Sequence, residues 1–378
     1  MRLVIFISPH YNKCGETYIF KNFFKSYKKN TNIEFKIFNY YSEFNHIKKK
    51  YLIENPIKIN FVNRFIEQKF SWLYYRIWMI LVFLHLQIVL PLIIFKEKNR
   101  YSEVIIVSRM SNIAVSFVSL YFSYSKKIKF YCSIAGLVYK NFFRKLIWSN
   151  IIKNFQGVII PSSDMKDYIR KYTNSSSILT IPNPVLTTEM IKFKKQNFKY
   201  NKKKIFKIIA IGRLSNQKGF DTLIQAIKTL PKVSVDIIGE GEDKKKLAYL
   251  VKKFNLQSRV RFLGWKEKPW QLVKNYNLFV MPSRWEGPGH TVIEALAQNI
   301  PVIVSDCDFG PIDTIQRGKF GVSFKKNDFL DLNKSIKKII KNYNFYSKKA
   351  KMGGTFIRQK YKTEEIIKKY TQFFLDKK

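Results

Sequence analysis

The stretch MPSRWEGPGHTVIEALAQN, residues 281–299, decides the fold. It follows an apolar run at 278–280 that is typical of a short buried strand. Proline and glycine interrupt the backbone at 282–289, and from His290 the apolar residues recur at helical spacing. Pro301 ends that pattern and begins another apolar run. The order strand, tight loop, helix and strand indicates one unit of an open α/β sheet.

Two carboxylates lie on this unit, Glu286 in the loop and Glu294 about one turn inside the predicted helix. The N-terminus of a helix has unpaired N–H groups and a partial positive charge, so it is suited to phosphate. A phosphate held there could be flanked by the two carboxylates, each accepting hydrogen bonds from hydroxyls of a sugar or a ribose. On this spacing alone, two solvated glutamates on an amphipathic helix are the preferred interpretation.

A second stretch, GRLSNQKGFD at 212–221, follows a predicted buried strand at 208–211 and leads into a helix. Arg213 and Lys218 therefore flank a loop at the carboxyl end of a strand, where open α/β sheets bind ligands. If both cations converge on the helix N-terminus that follows Glu286, they form a clamp for a diphosphate.

Four landmarks occur in order: residues 212–221, IIGEG at 237–241, FLGW at 262–265, and two glutamates, Glu286 and Glu294, separated by seven residues. This pattern resembles family 4 of the retaining glycosyltransferases over roughly 205–322. The resemblance implies an α/β fold of the GT-B type, with two Rossmann-like domains facing across a cleft and a nucleotide-sugar donor in the C-terminal one. The run DCDFGP at 306–311 is similar to one in members that build bacterial surface polysaccharides.

The resemblance also implies roles for individual residues. Arg213 and Lys218 would hold the diphosphate, Glu286 the donor sugar and Glu294 the ribose, which makes Glu286, Arg213 and Lys218 the catalytic set. The implied donor-binding residues are Gly212, Arg213, Lys218, Gly289, His290, Thr291, Val292 and Glu294. On the acceptor side the glycine-rich turn of the family is matched only by Gly15 and Glu16. Many relatives place a histidine near the turn at 133–136, where this chain has Ser133 and Gly136.

A chain of 378 residues suits two domains. We predict an N-terminal Rossmann-like, acceptor-side domain at 1–185 and a nucleotide-sugar-binding domain at 186–355. By the resemblance, a C-terminal helix at 356–378 packs back on the first domain; a solvated helix is an equally good interpretation. The formal net charge is +43, from 69 basic and 26 acidic residues. The excess is spread along the chain without a nucleic-acid-binding signature, so no nucleic acid partner is predicted.

The segment 70–95 is long and apolar enough to span a bilayer. Arg76, His85, Gln87 and Pro91 argue against a span, because a charge at mid-membrane is costly. We predict instead a membrane-associated helix that lies in the plane of the interface. An ordinary core helix is nearly as well supported.

Cys14, Cys132 and Cys307 are too far apart for a disulfide framework and fit a reducing compartment. We therefore predict a cytoplasmic protein, peripheral on the inner face of the cell membrane. Asp306 and Asp308 have the spacing of a motif that holds Mn²⁺ or Mg²⁺ in another glycosyltransferase fold. Two carboxylates alone make a poor site for a hard cation, so we expect neither a metal nor another cofactor.

The predicted function is transfer of a sugar, with net retention, from a nucleoside-diphosphate sugar to a lipid-linked (polyprenyl) glycan or a lipopolysaccharide or capsule glycan. Two alternatives stay open. One is a basic membrane-surface or nucleic-acid-binding protein without catalysis. The other is a nucleotide-sugar epimerase of GT-B fold, which needs paired histidines and carboxylates that the sequence does not evidently offer.

Overall fold

The structure is a computed structural model that describes residues 1–8, 15–28, 30–40, 44–56, 72–109, 113–134, 155–170, 177–193, 200–201 and 203–376. The chain divides into two compact units. The first comprises Met1–Pro184 together with Ile366–Lys378, and the second comprises Val185–Glu365.

The first unit contains a parallel sheet whose described strands lie in the order β3-β2-β1-β4-β5-β6-β7. The strands are β1 Arg2–Ile7, β2 Ile33–Asn39, β3 Leu52–Glu54, β4 Glu103–Arg109, β5 Ile128–Ser133, β6 Gly157–Ile160 and β7 Ile178–Thr180. Its described helices are Gly15–Ser26, Trp72–Lys98, Ile113–Tyr121 and Lys166–Arg170, and it takes most of the last helix, Thr363–Asp376. The central strands are nearly continuous apolar runs because helices cover both faces of a parallel sheet.

Aromatic side chains fill much of the core of the first unit. The Phe6 ring lies 5.4 Å from Phe23 and 5.9 Å from Phe35, measured between ring centroids. Tyr370, from the last helix, lies 5.8 Å from Phe6. The Arg2 guanidinium donates a hydrogen bond of 2.8 Å to the Leu375 carbonyl oxygen. The last helix is thus part of the core of the first unit.

The second unit contains a parallel sheet of described strands in the order β10-β9-β8-β11-β12-β13. The strands are β8 Phe206–Ile211, β9 Val233–Ile238, β10 Val260–Phe262, β11 Leu278–Met281, β12 Val302–Ser305 and β13 Val322–Phe324. The helices are Thr188–Lys192, Phe220–Ala226, Lys244–Lys253, Trp270–Val273, His290–Ala297, Pro311–Thr314, Phe329–Lys341 and Tyr343–Lys360.

Both faces of this second sheet are covered. Along β8, Ile208 and Ala210 belong to one buried cluster, and Ile209 and Ile211 belong to another. Successive side chains of a strand point to opposite faces, so the two clusters lie on opposite sides of the sheet. The predicted α/β architecture is therefore confirmed in both units.

The helix predicted at 70–95 is described as Trp72–Lys98. One side of this helix is buried in the core of the first unit, through Val82, Leu86, Val89 and Ile93. By length and composition its segment Ile80–Lys98 could cross a membrane, although core helices of soluble proteins satisfy the same criterion. Only 44% of this segment is buried, so a plain core position does not describe this helix.

Candidate functional site

The candidate site lies where the strand order of the second sheet reverses. β8 and β11 are neighbours, but the chain continues from β8 to β9 on one side and from β11 to β12 on the other. Ligands of open α/β sheets bind at the carboxyl ends of strands at such a switch point. The loops that follow β8 and β11 are the two stretches, 212–221 and 282–289, on which the sequence prediction depends.

Glycine allows these two loops to touch. Gly219 follows a short 3₁₀ turn at Asn216–Lys218 and has a φ of +61°. A Cβ atom there would lie 2.1 Å from the Pro282 carbonyl oxygen. Only glycine fits both the left-handed backbone and the close approach.

Lys218 and Glu286 meet directly at this contact. The Lys218 ammonium group forms an ion pair with Oε1 of Glu286, and both side chains are largely buried. The Ser283 hydroxyl donates a 2.7 Å hydrogen bond to the same oxygen. Gly212 lies beneath the lysine, because a Cβ there would come within 3.2 Å of Lys218 Cδ. The sequence placed this cation and this carboxylate at one site, and the structure brings them into contact.

Arg213 belongs to the same loop and directly follows Gly212. Its side chain is exposed, and in the part of the chain that the structure describes its guanidinium has no hydrogen-bond or ion-pair partner. An uncompensated cation beside a buried lysine creates a positive potential that favours an anion.

A second ion pair joins the same two loops and was not anticipated from the sequence. Arg284 donates to both carboxylate oxygens of Asp221, at 3.0 and 2.7 Å, and to the Asn216 carbonyl oxygen at 2.7 Å. Burial raises the pKa of Asp221, but the hydrogen bonds and charge of Arg284 outweigh it, so this pKa is lowered. The opposite charges in 212–221 and 281–299 were the available signal, although sequence spacing could not pair them.

The helix His290–Ala297 begins at the same place. Gly289 caps it with a φ of +66° and no side-chain hydrogen bond, so the N-terminus is formed by backbone alone. The Val292 and Ile293 N–H groups donate to the Gly289 carbonyl oxygen, at 3.0 and 3.3 Å, and the helix dipole adds positive charge at this end. His290 and Thr291 are half-buried, and Val292 is buried in the core.

Glu294 lies on the second turn of this helix and is buried. Among the described residues its carboxyl group has no hydrogen-bond or ion-pair partner. Burial raises the pKa of Glu294 to about 8. A buried carboxyl group without partners is costly, and ligand hydroxyls would satisfy it.

The loop after β12 packs on the loop after β11. A Cβ at Gly310, whose φ is +80°, would lie 1.9 Å from the Gly287 carbonyl oxygen. In the same loop, Asp306 accepts a 2.6 Å hydrogen bond from the Lys326 backbone. Asp308 lies 3.8 Å from the Lys326 ammonium group. Over the described ranges no group of three or more His, Cys, Asp or Glu side chains could hold a metal ion.

The predicted acceptor side is described only in part. Gly15 and Glu16 begin the first helix, but their side chains lie outside the described residues, as do His10, Cys14 and Gly136. Ser133 ends β5 and lines a depression in the first unit. The depression is mainly apolar and is lined by Phe6, Ile7, Ile19, Phe20, Phe23, Val107, Ser133, Asn183, Pro184 and Tyr370. It lies at the carboxyl ends of β1, β4 and β5.

Comparison with known proteins finds one matching family, several similar curated proteins and several similar solved structures. Residues 190–355 match the family described as Glycosyl transferases group 1. An uncharacterised glycosyltransferase of Methanocaldococcus jannaschii, MJ1059, is 34% identical over 53% of each chain. The lipopolysaccharide core biosynthesis glycosyltransferase LpsE of Rhizobium meliloti is 28% identical over 45% of this chain and 50% of LpsE. The chain thus matches about half the length of these curated relatives.

The structure of Anabaena HepE in complex with UDP and glucose is similar over 99% of both chains, with a TM-score of 0.72 and 15% identity. At that identity the similarity concerns the fold, and the predicted GT-B fold is confirmed. The match to Glycosyl transferases group 1 covers residues 190–355, which is less than half of the chain.

Proposed function

We propose that the chain is a retaining glycosyltransferase that takes a sugar from a nucleoside-diphosphate sugar. The observation that carries this proposal is the meeting of Lys218, Glu286 and the N-terminus of the His290–Ala297 helix at the switch point of the second sheet. A cation, a helix N-terminus and two buried carboxyl groups at one place suit a ligand that combines a diphosphate with hydroxyl-rich sugars.

The donor would lie with its diphosphate between Arg213, Lys218 and the helix N-terminus. Glu294 would accept hydrogen bonds from the ribose, and Glu286 would contact the transferred sugar. Lys218 would then exchange part of its ion pair with Glu286 for the diphosphate, which leaves Glu286 able to accept a sugar hydroxyl. Gly212, Gly289 and Thr291 would contribute backbone, whereas the Val292 N–H already donates to the Gly289 carbonyl oxygen.

Transfer would proceed by electrostatic stabilisation of the leaving group. The acceptor hydroxyl oxygen bonds to the anomeric carbon while the bond from that carbon to the phosphate oxygen breaks. The electron pair leaves with the diphosphate, and the hydroxyl proton passes to the departing phosphate oxygen. Attack on the face that the diphosphate leaves gives net retention. No metal or other cofactor is needed for these steps, since Arg213, Lys218 and the helix N-terminus supply the positive charge.

The acceptor that we propose is a lipid-linked glycan or a lipopolysaccharide or capsule glycan. The name of LpsE and the DCDFGP run at 306–311 both support a surface polysaccharide. Such an acceptor places the enzyme in the cytoplasm, peripheral on the inner face of the cell membrane. On the first unit, the depression beside Ser133 and the helix that begins at Gly15 and Glu16 are the candidate acceptor side.

Substitution of Lys218 tests the clamp. In Lys218→Ala we expect kcat for donor turnover to fall about 100-fold or more, because a charge that stabilises the departing diphosphate is lost. Folding should be retained, as measured by circular dichroism. The matched control is Lys252→Ala, which removes an exposed lysine of the Lys244–Lys253 helix. Its kcat for donor turnover should equal that of the wild type. Unchanged turnover in Lys218→Ala would remove the clamp from the mechanism.

A further inference from the structure

An exposed apolar surface covers two adjacent helices of the first unit. We call it the two-helix face, and each of its members exposes between 47% and 68% of its surface. Its members are Ile80, Leu81, Leu84, Ile88, Leu92 and Phe95 from the helix Trp72–Lys98, and Phe117, Leu120 and Tyr121 from the helix Ile113–Tyr121.

The first of these helices is apolar on both sides. The exposed residues follow one another at intervals of mostly three or four, which places them along one side of the helix. Val82, Leu86 and Val89 bury the opposite side. A helix that faces water normally carries polar residues on its outer side, and one that is apolar all round normally lies in an apolar environment.

The second helix is also apolar on both sides, since Val115 and Val118 are fully buried. Ser116 and Ser119 are buried, at 4% and 2% exposure, while Phe117 and Leu120 face outward. The buried Ser119 hydroxyl has a hydrogen-bond partner within the helix, because it donates a 2.6 Å hydrogen bond to the Ser116 carbonyl oxygen. Burial of serine beside exposure of phenylalanine and leucine is the reverse of the usual distribution.

The two helices form one continuous surface. The Phe83 and Phe117 rings lie 5.4 Å apart, and Gln87 donates a 2.9 Å hydrogen bond to the Ala114 carbonyl oxygen. At the far end the Phe95 and Phe122 rings lie 5.3 Å apart. Contiguous exposed apolar surfaces of this kind mark interaction sites.

One end of the face is strongly basic. Lys96 and Lys98 end the first helix, and the Lys98 ammonium group lies 4.2 Å from the centre of the Phe95 ring. Lys126 and Lys127, both exposed, follow the second helix by a few residues. Glu97 is the one acidic residue in the described sequence of these helices; it is buried and lies 3.7 Å from Arg100. The basic end therefore presents positive charge without an exposed carboxylate.

We infer that the two-helix face docks on the surface of an anionic phospholipid bilayer, with both helices lying in the plane of the interface. Apolar and aromatic side chains enter the acyl boundary, and the lysines contact headgroup phosphates. A second copy of the chain fits less well, because each copy carries a formal net charge of +43 and would present the same lysines to the other. The inference deepens the proposed function and rests on its lipid-linked acceptor.

Co-sedimentation of the full chain with vesicles tests this assignment. We expect the wild-type protein to bind vesicles containing phosphatidylglycerol much more strongly than vesicles of phosphatidylcholine alone. Leu84→Ser/Ile88→Ser should lower binding to the anionic vesicles at least tenfold. Lys126→Glu/Lys127→Glu should lower it by more than tenfold, since each lysine near such a surface contributes about fivefold.

Two matched variants on the second unit control for composition. Leu330→Ser removes an apolar side chain that is 60% exposed, and Lys252→Glu/Lys253→Glu reverses two exposed lysines. Both should bind vesicles as the wild type does. All variants should keep their affinity for a nucleoside diphosphate, measured by calorimetry, because the donor site belongs to the second unit.

Three results would overturn the inference. One is a wild-type protein that stays in the supernatant with both kinds of vesicle. Another is full binding by Leu84→Ser/Ile88→Ser. The third is a wild-type dimer that this variant dissociates in sedimentation velocity, which would assign the face to a second copy. A chain that binds vesicles but no nucleoside diphosphate would contradict the proposed donor and leave the assigned face standing.

Discussion

At the scale of single residues, the site combines a satisfied carboxylate with an unsatisfied carboxyl group. Glu286 is neutralised by Lys218 and hydrogen-bonded by Ser283. Glu294 is buried and lacks such partners among the described residues. Burial without compensation disfavours the charged form, which is why the pKa of Glu294 is raised to about 8.

This raised pKa makes stability depend on pH in a definite direction. The folded pKa lies above the ordinary value of 4.5, so the folded protein keeps a proton that the unfolded chain has released. The contribution of Glu294 to the free energy of unfolding therefore decreases as the pH rises from about 4.5 to about 8. At pH 8 we expect Glu294→Gln to increase the free energy of unfolding by up to several kcal/mol, and so to raise Tm. At pH 5 the substitution should change both quantities little.

Thermal unfolding of both proteins across this range, without ligand, is the measurement. Glu242→Gln, at an exposed glutamate of the same unit, is the matched control and should follow the wild type at every pH. Parallel stability profiles for the wild type and Glu294→Gln would show that Glu294 does not titrate in this window. Above about pH 8, where Glu294 is ionised, a nucleoside diphosphate should bind Glu294→Gln more weakly than the wild type, because an amide oxygen accepts hydrogen bonds less strongly than a carboxylate.

At the scale of structural elements, the site depends on the contact between two loops rather than on either loop alone. The Arg284–Asp221 pair and the approach of Gly219 to Pro282 hold the β8 and β11 loops together. Gln217 adds a 3.0 Å hydrogen bond to the Trp285 carbonyl oxygen. Loops held at several points keep Lys218 and Glu286 at a fixed separation, which favours electrostatic catalysis.

We expect Asp221→Ala to lower kcat/KM for the donor about tenfold to 100-fold, although Asp221 pairs with Arg284 and is not one of the proposed donor contacts. Arg284→Lys should fall between this variant and the wild type, because lysine keeps the charge but loses the paired hydrogen bonds. The exchanged pair Asp221→Arg/Arg284→Asp should recover part of the loss. Steady-state kinetics and Tm, measured on the same proteins, separate a loss of activity from a loss of stability. Equal kcat/KM in the wild type and all three variants would contradict a positioning role.

At the scale of the whole molecule, the described donor-site residues all belong to the unit Val185–Glu365. A nucleoside diphosphate should therefore slow hydrogen exchange mainly within 206–324, and most clearly in the loops after β8 and β11. At a concentration of 100 Kd it should stabilise this unit by about 2.7 kcal/mol. Protection confined to Met1–Pro184, measured by hydrogen-exchange mass spectrometry with UDP, GDP and ADP in turn, would place the nucleotide on the other unit.

The positive charge also acts at this scale. The basic excess is divided nearly equally between the two units, and because it is spread along the chain it does not indicate a nucleic-acid site. What the structure adds is the local combination of lysines with the two-helix face of the first unit. Charge by itself suggests many anionic partners, whereas charge beside an apolar surface favours a lipid interface.

The sequence by itself determined the α/β architecture, because apolar runs of strand length alternate with helical periodicity and Gly-Pro breaks over 205–305. Its loops after parallel strands pointed to Arg213 and Lys218, and the resemblance of its ordered motifs to a glycosyltransferase family pointed to Glu286 and Glu294. Tertiary structure alone decided the Arg284–Asp221 pair, the isolation of Glu294 and the outward position of Phe117 and Leu120. These depend on which surfaces meet across more than sixty residues of chain or on which side of a helix is covered, and neither local propensity nor spacing contains that information.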